Sequence, residues 1–297
     1  MNVIVHGGAG SEPEDPETRQ EALDEAARAG TEAITPVEAV CAAIGVLEES
    51  PRFNAGVGGA VQSDGIVRTD AGIMTDDRSA GAACSMPGVT HAVEVARAVM
   101  EETPHVLLSG VHAVDFASEY GIGVEEELRS SRTRERWSEL NPPEGGPREQ
   151  LAWSRERFGE TEDDPEGRDL DHDTVGAVAS DSENVAAATS TGGRWLALAG
   201  RVGDVPQIGS GFYCTPAGGA SATGAGEDIA RVTLSRLAVD HLENGVSAQD
   251  AADQAIEEFA ELTDSTAGII VCDRNGDTGS AYNSQLMQTK ALAANWR

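Results

Sequence analysis

The stretch His172-Asp173-Thr174-Val175-Gly176-Ala177-Val178 decides how this 297-residue chain is read. A polar, charged tail runs directly into a β-type segment whose first residue is threonine. Thr174-Val175-Gly176-Ala177-Val178-Ala179 and Asn184-Val185-Ala186-Ala187-Ala188-Thr189 predict two short strands joined by the polar turn Asp181-Ser182-Glu183. Taken alone, a threonine that opens a strand is an ordinary β-branched strand residue. Cleavage between Asp173 and Thr174 would change its chemistry. A free α-amino group has a pKa of about 7.7–8.0, so part of it is unprotonated near neutral pH and takes the proton of the same residue's hydroxyl. One residue then supplies both nucleophile and base.

Downstream, the strand pattern extends over residues 194–199, and helices are expected over residues 227–243 and, from the cap pair Ser247 and Asp250, to about residue 262. The apolar run Ala267-Gly268-Ile269-Ile270-Val271-Cys272 ends at the turn Asp273-Arg274-Asn275-Gly276 and returns as a hairpin near residues 280–283. Upstream, Val3-Ile4-Val5 reads as a buried strand entering the glycine turn His6-Gly7-Gly8-Ala9-Gly10. Asp15-Pro16-Glu17 offers an N-cap with proline behind it, and Thr35-Pro36-Val37-Glu38 is a capping box. Two further helices are expected over residues 91–100 and 104–117, after a glycine-rich stretch from Phe53-Asn54-Ala55-Gly56 to Ala71-Gly72. Strands in both halves with helices around them predict a layered mixed α/β architecture.

Residues 125–173 differ in character. Charge is dense, apolar residues are sparse, and Asn141-Pro142-Pro143-Glu144-Gly145-Gly146-Pro147 is a poor core former, so the composition reads as an acidic linker. Asp169, Asp171, His172 and Asp173 have the chemistry of metal ligands, and an acidic linker end explains them equally.

Acidic residues outnumber basic ones 51 to 21, giving a net charge of −30, and Lys290 is the only lysine. Such a surface repels phosphate backbones and anionic lipid, so neither a nucleic-acid partner nor a membrane is expected. Acidic excess with almost no lysine also suits high salt, where a screening length of about 3 Å at 1 M quenches self-repulsion. Cys41, Cys84, Cys214 and Cys272 are far apart without ligand spacing, and read as buried thiols of a reducing compartment. With no apolar run of about 18 residues, a cytoplasmic location is expected. Serine-hydrolase elbows, HExxH helices and phosphate loops do not occur.

Further motifs change the standing of Thr174. Thr189-Ser190-Thr191-Gly192-Gly193, Gly200-Arg201-Val202-Gly203-Asp204 and Ala222-Thr223-Gly224-Ala225-Gly226-Glu227, with the His6–Gly10 opening and the Phe53–Gly56 loop, resemble the plant-type L-asparaginases and isoaspartyl peptidases. The resemblance covers nearly the whole chain outside residues 125–173. It implies an α+β fold of the Ntn-hydrolase type, a four-layer αββα sandwich. It also implies a precursor that cuts itself before Thr174 into an α chain of residues 1–173 and a β chain of residues 174–297, both forming one domain, with pairing into a dimer of αβ heterodimers.

The resemblance further implies Thr174 as nucleophile, Thr191 orienting it, and Thr223 with Gly224 as oxyanion donors. Substrate binding would fall to Arg201, Asp204, Gly193, Gly224, Gly226 and Asn54. Arg201 and Asp204 also carry an argument of their own, since a guanidinium forks onto an α-carboxylate while a carboxylate takes an ammonium, as a zwitterionic amino-acid or dipeptide substrate requires. No organic cofactor is implied. A structural sodium ion is implied, held by the backbone carbonyls of Leu47, Glu48, Ser50, Phe53, Ala55 and Val57. Asp173 departs from the glycine usual before the nucleophile and is similar to the glycosylasparaginase branch. Hydrolysis of a glycosylated asparagine, or binding without turnover by an uncut chain, are therefore the alternatives to asparagine and β-aspartyl dipeptide hydrolysis.

Overall fold

The computed structural model describes residues 1–13, 15–158 and 174–294. In chain order, β1 (Asn2–Gly10) leads to α1 (Pro16–Glu32) and α2 (Pro36–Glu49), followed by β2 (Arg68–Thr75) and β3 (Ala80–Pro87). Then come α3 (Ala92–Glu102), β4 (Leu107–Ser109), α4 (Gly110–Glu119), α5 (Ser131–Ser138) and α6 (Pro147–Phe158). Beyond residue 173 the order is β5 (Val175–Ser180), β6 (Val185–Thr191), β7 (Phe212–Thr215), β8 (Gly218–Gly224), α7 (Gly226–Val232), α8 (Leu234–Glu243) and α9 (Ala248–Leu262). A hairpin of β9 (Ala267–Asp273) and β10 (Thr278–Tyr282) precedes β11 (Leu286–Ala293).

Two sheets form, one ordered β11-β1-β5-β6-β2-β3-β4 and the other β10-β9-β8-β7. The first buries one face under α1 to α4 through Leu23, Ile44, Leu47, Val93 and Val95. Its other face meets the second sheet, which is covered in turn by α8 and α9 through Leu234, Val239, Ile256 and Phe259. The result is the four-layer αββα sandwich. Strand β5 is buried on both faces: Val175, Ala177 and Ala179 point to the first core and Val178 to the second. Small side chains let the sheets approach closely. At Gly176 a β-carbon would overlap His6 Nε2 and Ser221 Oγ, so no larger residue fits there.

The expected caps form. Asp15 Oδ1 accepts from Thr18 N at 3.3 Å, Thr35 and Glu38 complete a capping box, and Ser247 Oγ accepts from Asp250 N at 3.1 Å. The turns at residues 181–183 and 273–276 join β5 to β6 and β9 to β10.

Four local expectations are corrected. Residues 194–199 form turns rather than a strand, and the helix expected from residue 104 starts only at Gly110 because Leu107–Ser109 pairs parallel with β3. The helix expected over residues 227–243 breaks at Thr233, which sits at φ 56°. Strand β11, not anticipated, closes the large sheet against β1. The largest departure concerns the acidic segment. Within residues 125–158 the helices α5 and α6 form, and Trp137, Leu140 and Trp153 pack on a small cluster of Ala60, Val61, Val67, Leu128, Trp195 and Leu196. Widely spaced aromatic residues on one face suffice for this, which a dense charge pattern on the other face conceals. Asp169, Asp171, His172 and Asp173 lie outside the described residues.

Candidate active site

Pairing of Val175 with Ser190 across β5 and β6 places Thr174 opposite Thr191 at the sheet's end. Thr174 is buried, and its Oγ1 donates to Thr191 Oγ1 at 3.2 Å. Thr191 Oγ1 also accepts from Gly193 N at 3.2 Å and donates to the Asn54 carbonyl at 3.4 Å. These contacts give Thr174 Oγ1 a fixed direction. Beneath it, His6 Nε2 lies 3.0 Å from Ser221 Oγ, which lies 2.6 Å from Thr189 Oγ1. Thr189 Oγ1 donates to Gly211 O at 2.7 Å, so its proton is committed there and the imidazole Nε2–H donates toward Ser221. Burial brings the His6 pKa down to about 3, opposed in part by the Thr174 backbone, and the ring is neutral at physiological pH.

Thr174 opens into a small cleft lined also by Thr191, Gly193, Arg194, Arg201, Asp204, Gly224, Ala225, Gly226 and Glu227. Arg201 and Asp204 thus stand in one cleft with Thr174, together with Gly193, Gly224 and Gly226. Thr223 is fully buried at the end of β8, directly before Gly224. Asn54 stands behind the cavity wall: its Nδ2 donates to Gly193 O at 2.5 Å and its Oδ1 accepts from Ala60 N at 2.8 Å. Its side chain therefore shapes the Gly192–Gly193 turn. Asp173 lies outside the described residues.

Glu227, quoted in a motif but not anticipated as a site residue, organises the charged end. Arg201 Nε donates to its Oε1 at 2.8 Å and Nη2 to its Oε2 at 2.7 Å, a bidentate fork. This leaves the Nη1 edge for a ligand. The guanidinium is held in plane by two glycines: a β-carbon on Gly203 would lie 2.7 Å from Nη1, and one on Gly226 would lie 2.9 Å from Nη2. Burial raises the Glu227 pKa, but the hydrogen bonds and charge of Arg201 prevail and bring it to about 2. Asp204 is buried and its Oδ2 has no partner within the protein. Burial raises its pKa to about 7 against the pull of Arg201. A buried acceptor without a partner is costly, and an ammonium group satisfies it. Asp70, also missed, pairs with Thr191 across β2 and β6 and accepts from Ser85 N at 2.6 Å. Burial takes it to about 7 as well. Only the proximity created by the fold marks either acid.

The loop implied to hold sodium turns tightly. Gly56 sits at φ 50° against the Glu48 carbonyl, and a β-carbon on Gly58 would lie 2.7 Å from Phe53 O and 3.0 Å from Pro51 O. The Glu48, Pro51 and Phe53 carbonyls thus lie against positions that only glycine fills.

The model of the family described as asparaginase matches residues 1–295. The plant-type L-asparaginase of Pyrococcus abyssi is 40% identical over 295 residues, covering 96% of this chain and 94% of its own. The isoaspartyl peptidase/L-asparaginase of Danio rerio is 37% identical over 300 residues, with 97% and 91% covered. That of Rattus norvegicus is 36% identical over 301 residues, with 98% and 85% covered.

Proposed function

This chain belongs to the asparaginase family, and from that membership we propose that it hydrolyses the side-chain amide of L-asparagine and the β-aspartyl bond of isoaspartyl dipeptides. The observation that carries the reading is the placement of Thr174 Oγ1, held 3.2 Å from Thr191 Oγ1, in one small cavity with Arg201 and Asp204. Self-cleavage before Thr174 yields chains of residues 1–173 and 174–297 and frees the amine that the nucleophile needs.

In the reaction, that amine takes the Thr174 hydroxyl proton while Oγ1 attacks the amide carbonyl carbon. Thr223 and the Gly224 N–H take the negative charge on the carbonyl oxygen; one such donor is worth about 2.7–4 kcal/mol. The C–N bond then breaks, the proton passes to the departing nitrogen, and ammonia or a peptide amine leaves. Water adds to the remaining ester, restoring the hydroxyl and releasing aspartate. Throughout, Arg201 holds the substrate's α-carboxylate and Asp204 its ammonium.

The family resemblance, with the Glu48 and Phe53 carbonyls packed against Gly56 and Gly58, supports a sodium ion held by the backbone oxygens of Leu47, Glu48, Ser50, Phe53, Ala55 and Val57, since a hard cation takes oxygen ligands. It would fix the loop carrying Asn54. Exposed Val106, Leu107, Val111 and Tyr120 around β4 and α4 support pairing into a dimer of αβ heterodimers. The four buried free cysteines support a reducing, cytoplasmic setting, and the acid-rich, lysine-poor composition supports a high-salt habitat. Among the described residues no helix is long and apolar enough to cross a membrane.

Intact mass and ammonia release, measured side by side in molar KCl for the wild type and Thr174→Ala, test the reading. Two fragments meeting between Asp173 and Thr174, with an uncut variant at least about 10⁴-fold less active, are expected. A wild type that stays whole and inert would sink it.

A further inference from the structure

The cavity around Thr174 holds a second cationic residue. Arg194 lines it beside Thr191, Arg201, Asp204 and Glu227. Its position is fixed from both sides. Before it, Gly193 turns the chain at φ 87° and bonds Thr191 Oγ1; after it, Trp195 and Leu196 are buried, and Leu196 N donates to Val61 O at 2.8 Å.

The charges of the site show what Arg194 is suited to meet. Arg201 faces two acids, Glu227 through the fork and Asp204 through its field, in a chain of net charge −30. L-Asparagine enters as a neutral zwitterion and releases ammonia. A β-aspartyl dipeptide carries one ammonium and two carboxylates, the second on the leaving group. With Arg201 alone the two acids leave a net negative charge that opposes that second carboxylate, and Arg194 brings the balance to neutral and offers it a cation of its own. The placement fits as well. With the substrate's α-end on Arg201, its leaving group departs from the carbonyl at Thr174, and Arg194 lines the same cavity three residues beyond Thr191, the partner of Thr174.

We propose that Arg194 forms a leaving-group subsite that binds the free carboxylate of the residue after the β-aspartyl linkage, making anionic β-aspartyl dipeptides the substrate class this site selects. The proposal rests on the hydrolase reading above and deepens it. The field of Arg194 also helps keep Glu227 ionised, as expected for a guanidinium facing the same cavity.

The test compares β-aspartyl-leucine, its C-terminal amide and L-asparagine on the processed enzyme. The wild type should favour the free acid over the amide by about 10- to 100-fold in kcat/KM, the range of one charge-assisted contact. Arg194→Gln should bring that preference to within about twofold, and Arg194→Lys should restore part of it. Equal rates on acid and amide by a wild type that hydrolyses L-asparagine would overturn the subsite and leave the hydrolase reading standing. A preference that survives Arg194→Gln would overturn the assignment to this residue. No hydrolysis of any of the three would overturn the hydrolase reading and the subsite with it.

Discussion

The two ends of the cavity are built differently. Thr174 and Thr191 stand at the end of β5 and β6, the middle of a seven-stranded sheet buried on both faces. Arg201 and Asp204 stand on turns between β6 and β7, where no ladder fixes them. Their support is side-chain work: Gln62 Nε2 donates to Arg201 O at 3.0 Å, Gly200 N donates to Gln62 Oε1 at 2.8 Å, and Ala199 N donates to Ser63 Oγ at 2.9 Å. Outside that lies the Trp195–Leu196 cluster, clamped by α5 and α6, with Ser154 Oγ bonding Leu196 O at 3.3 Å and Arg136 over the Trp195 ring at 4.2 Å. The reacting atom thus rests on the core, and substrate recognition rests on a braced loop. Damage to the brace should move binding and leave the chemistry in place.

The hardest blow to the binding end is Arg201→Leu. It strands buried Asp204 and removes the partner of Glu227, and breaking such a pair costs about 3–5 kcal/mol. Steady-state kinetics should show kcat/KM down by on the order of 10³-fold, mostly in KM, with cleavage before Thr174 retained. A fall confined to kcat would break the division between the two ends.

A second expectation concerns pH. Asp204 with a pKa of about 7 is protonated in mild acid and takes an ammonium only once ionised. KM should therefore fall about tenfold from pH 6 to pH 8, and Asp204→Asn should remove that slope. The effect on stability has the opposite sign. Because the folded pKa is raised above the ordinary 3.8, the protonated group favours the fold below about pH 4 and loses that contribution as pH rises through about 7. Urea unfolding at pH 5 and pH 8 measures it against the Asn variant.

The smallest effect belongs to the brace itself. Trp137→Ala, which opens a gap against Gly65 and the satellite cluster, should raise KM a few-fold, leave kcat within about twofold and cost roughly 2 kcal/mol in stability. An unchanged KM would show that the loop stands without α5.

Much of this molecule was legible in its sequence. The caps at Asp15, Thr35 and Ser247 and the two hairpins are local, carried by residues within a turn of one another. The fold class and the grouping of Thr174 with Arg201 and Asp204 came through resemblance, because ordered motifs carry the fold with them. What escaped was non-local. Strand β11 lacks a distinctive pattern and becomes a strand by pairing with β1, nearly the whole chain away. Helices α5 and α6 hide their few aromatic contacts among charges, so composition described their solvent face and missed the buried one.

The sequence by itself placed Thr174 at the head of a strand beyond a polar tail, and resemblance added Thr191 as its partner, which the register of β5 on β6 brings opposite. Only the tertiary structure decided the electrostatics of binding. The Arg201–Glu227 fork joins residues 26 apart, and Asp70 and Asp204 acquire pKa values near 7 through burial that no local pattern announces. Charge interactions depend on distance and on the exclusion of water, and a folded chain sets both.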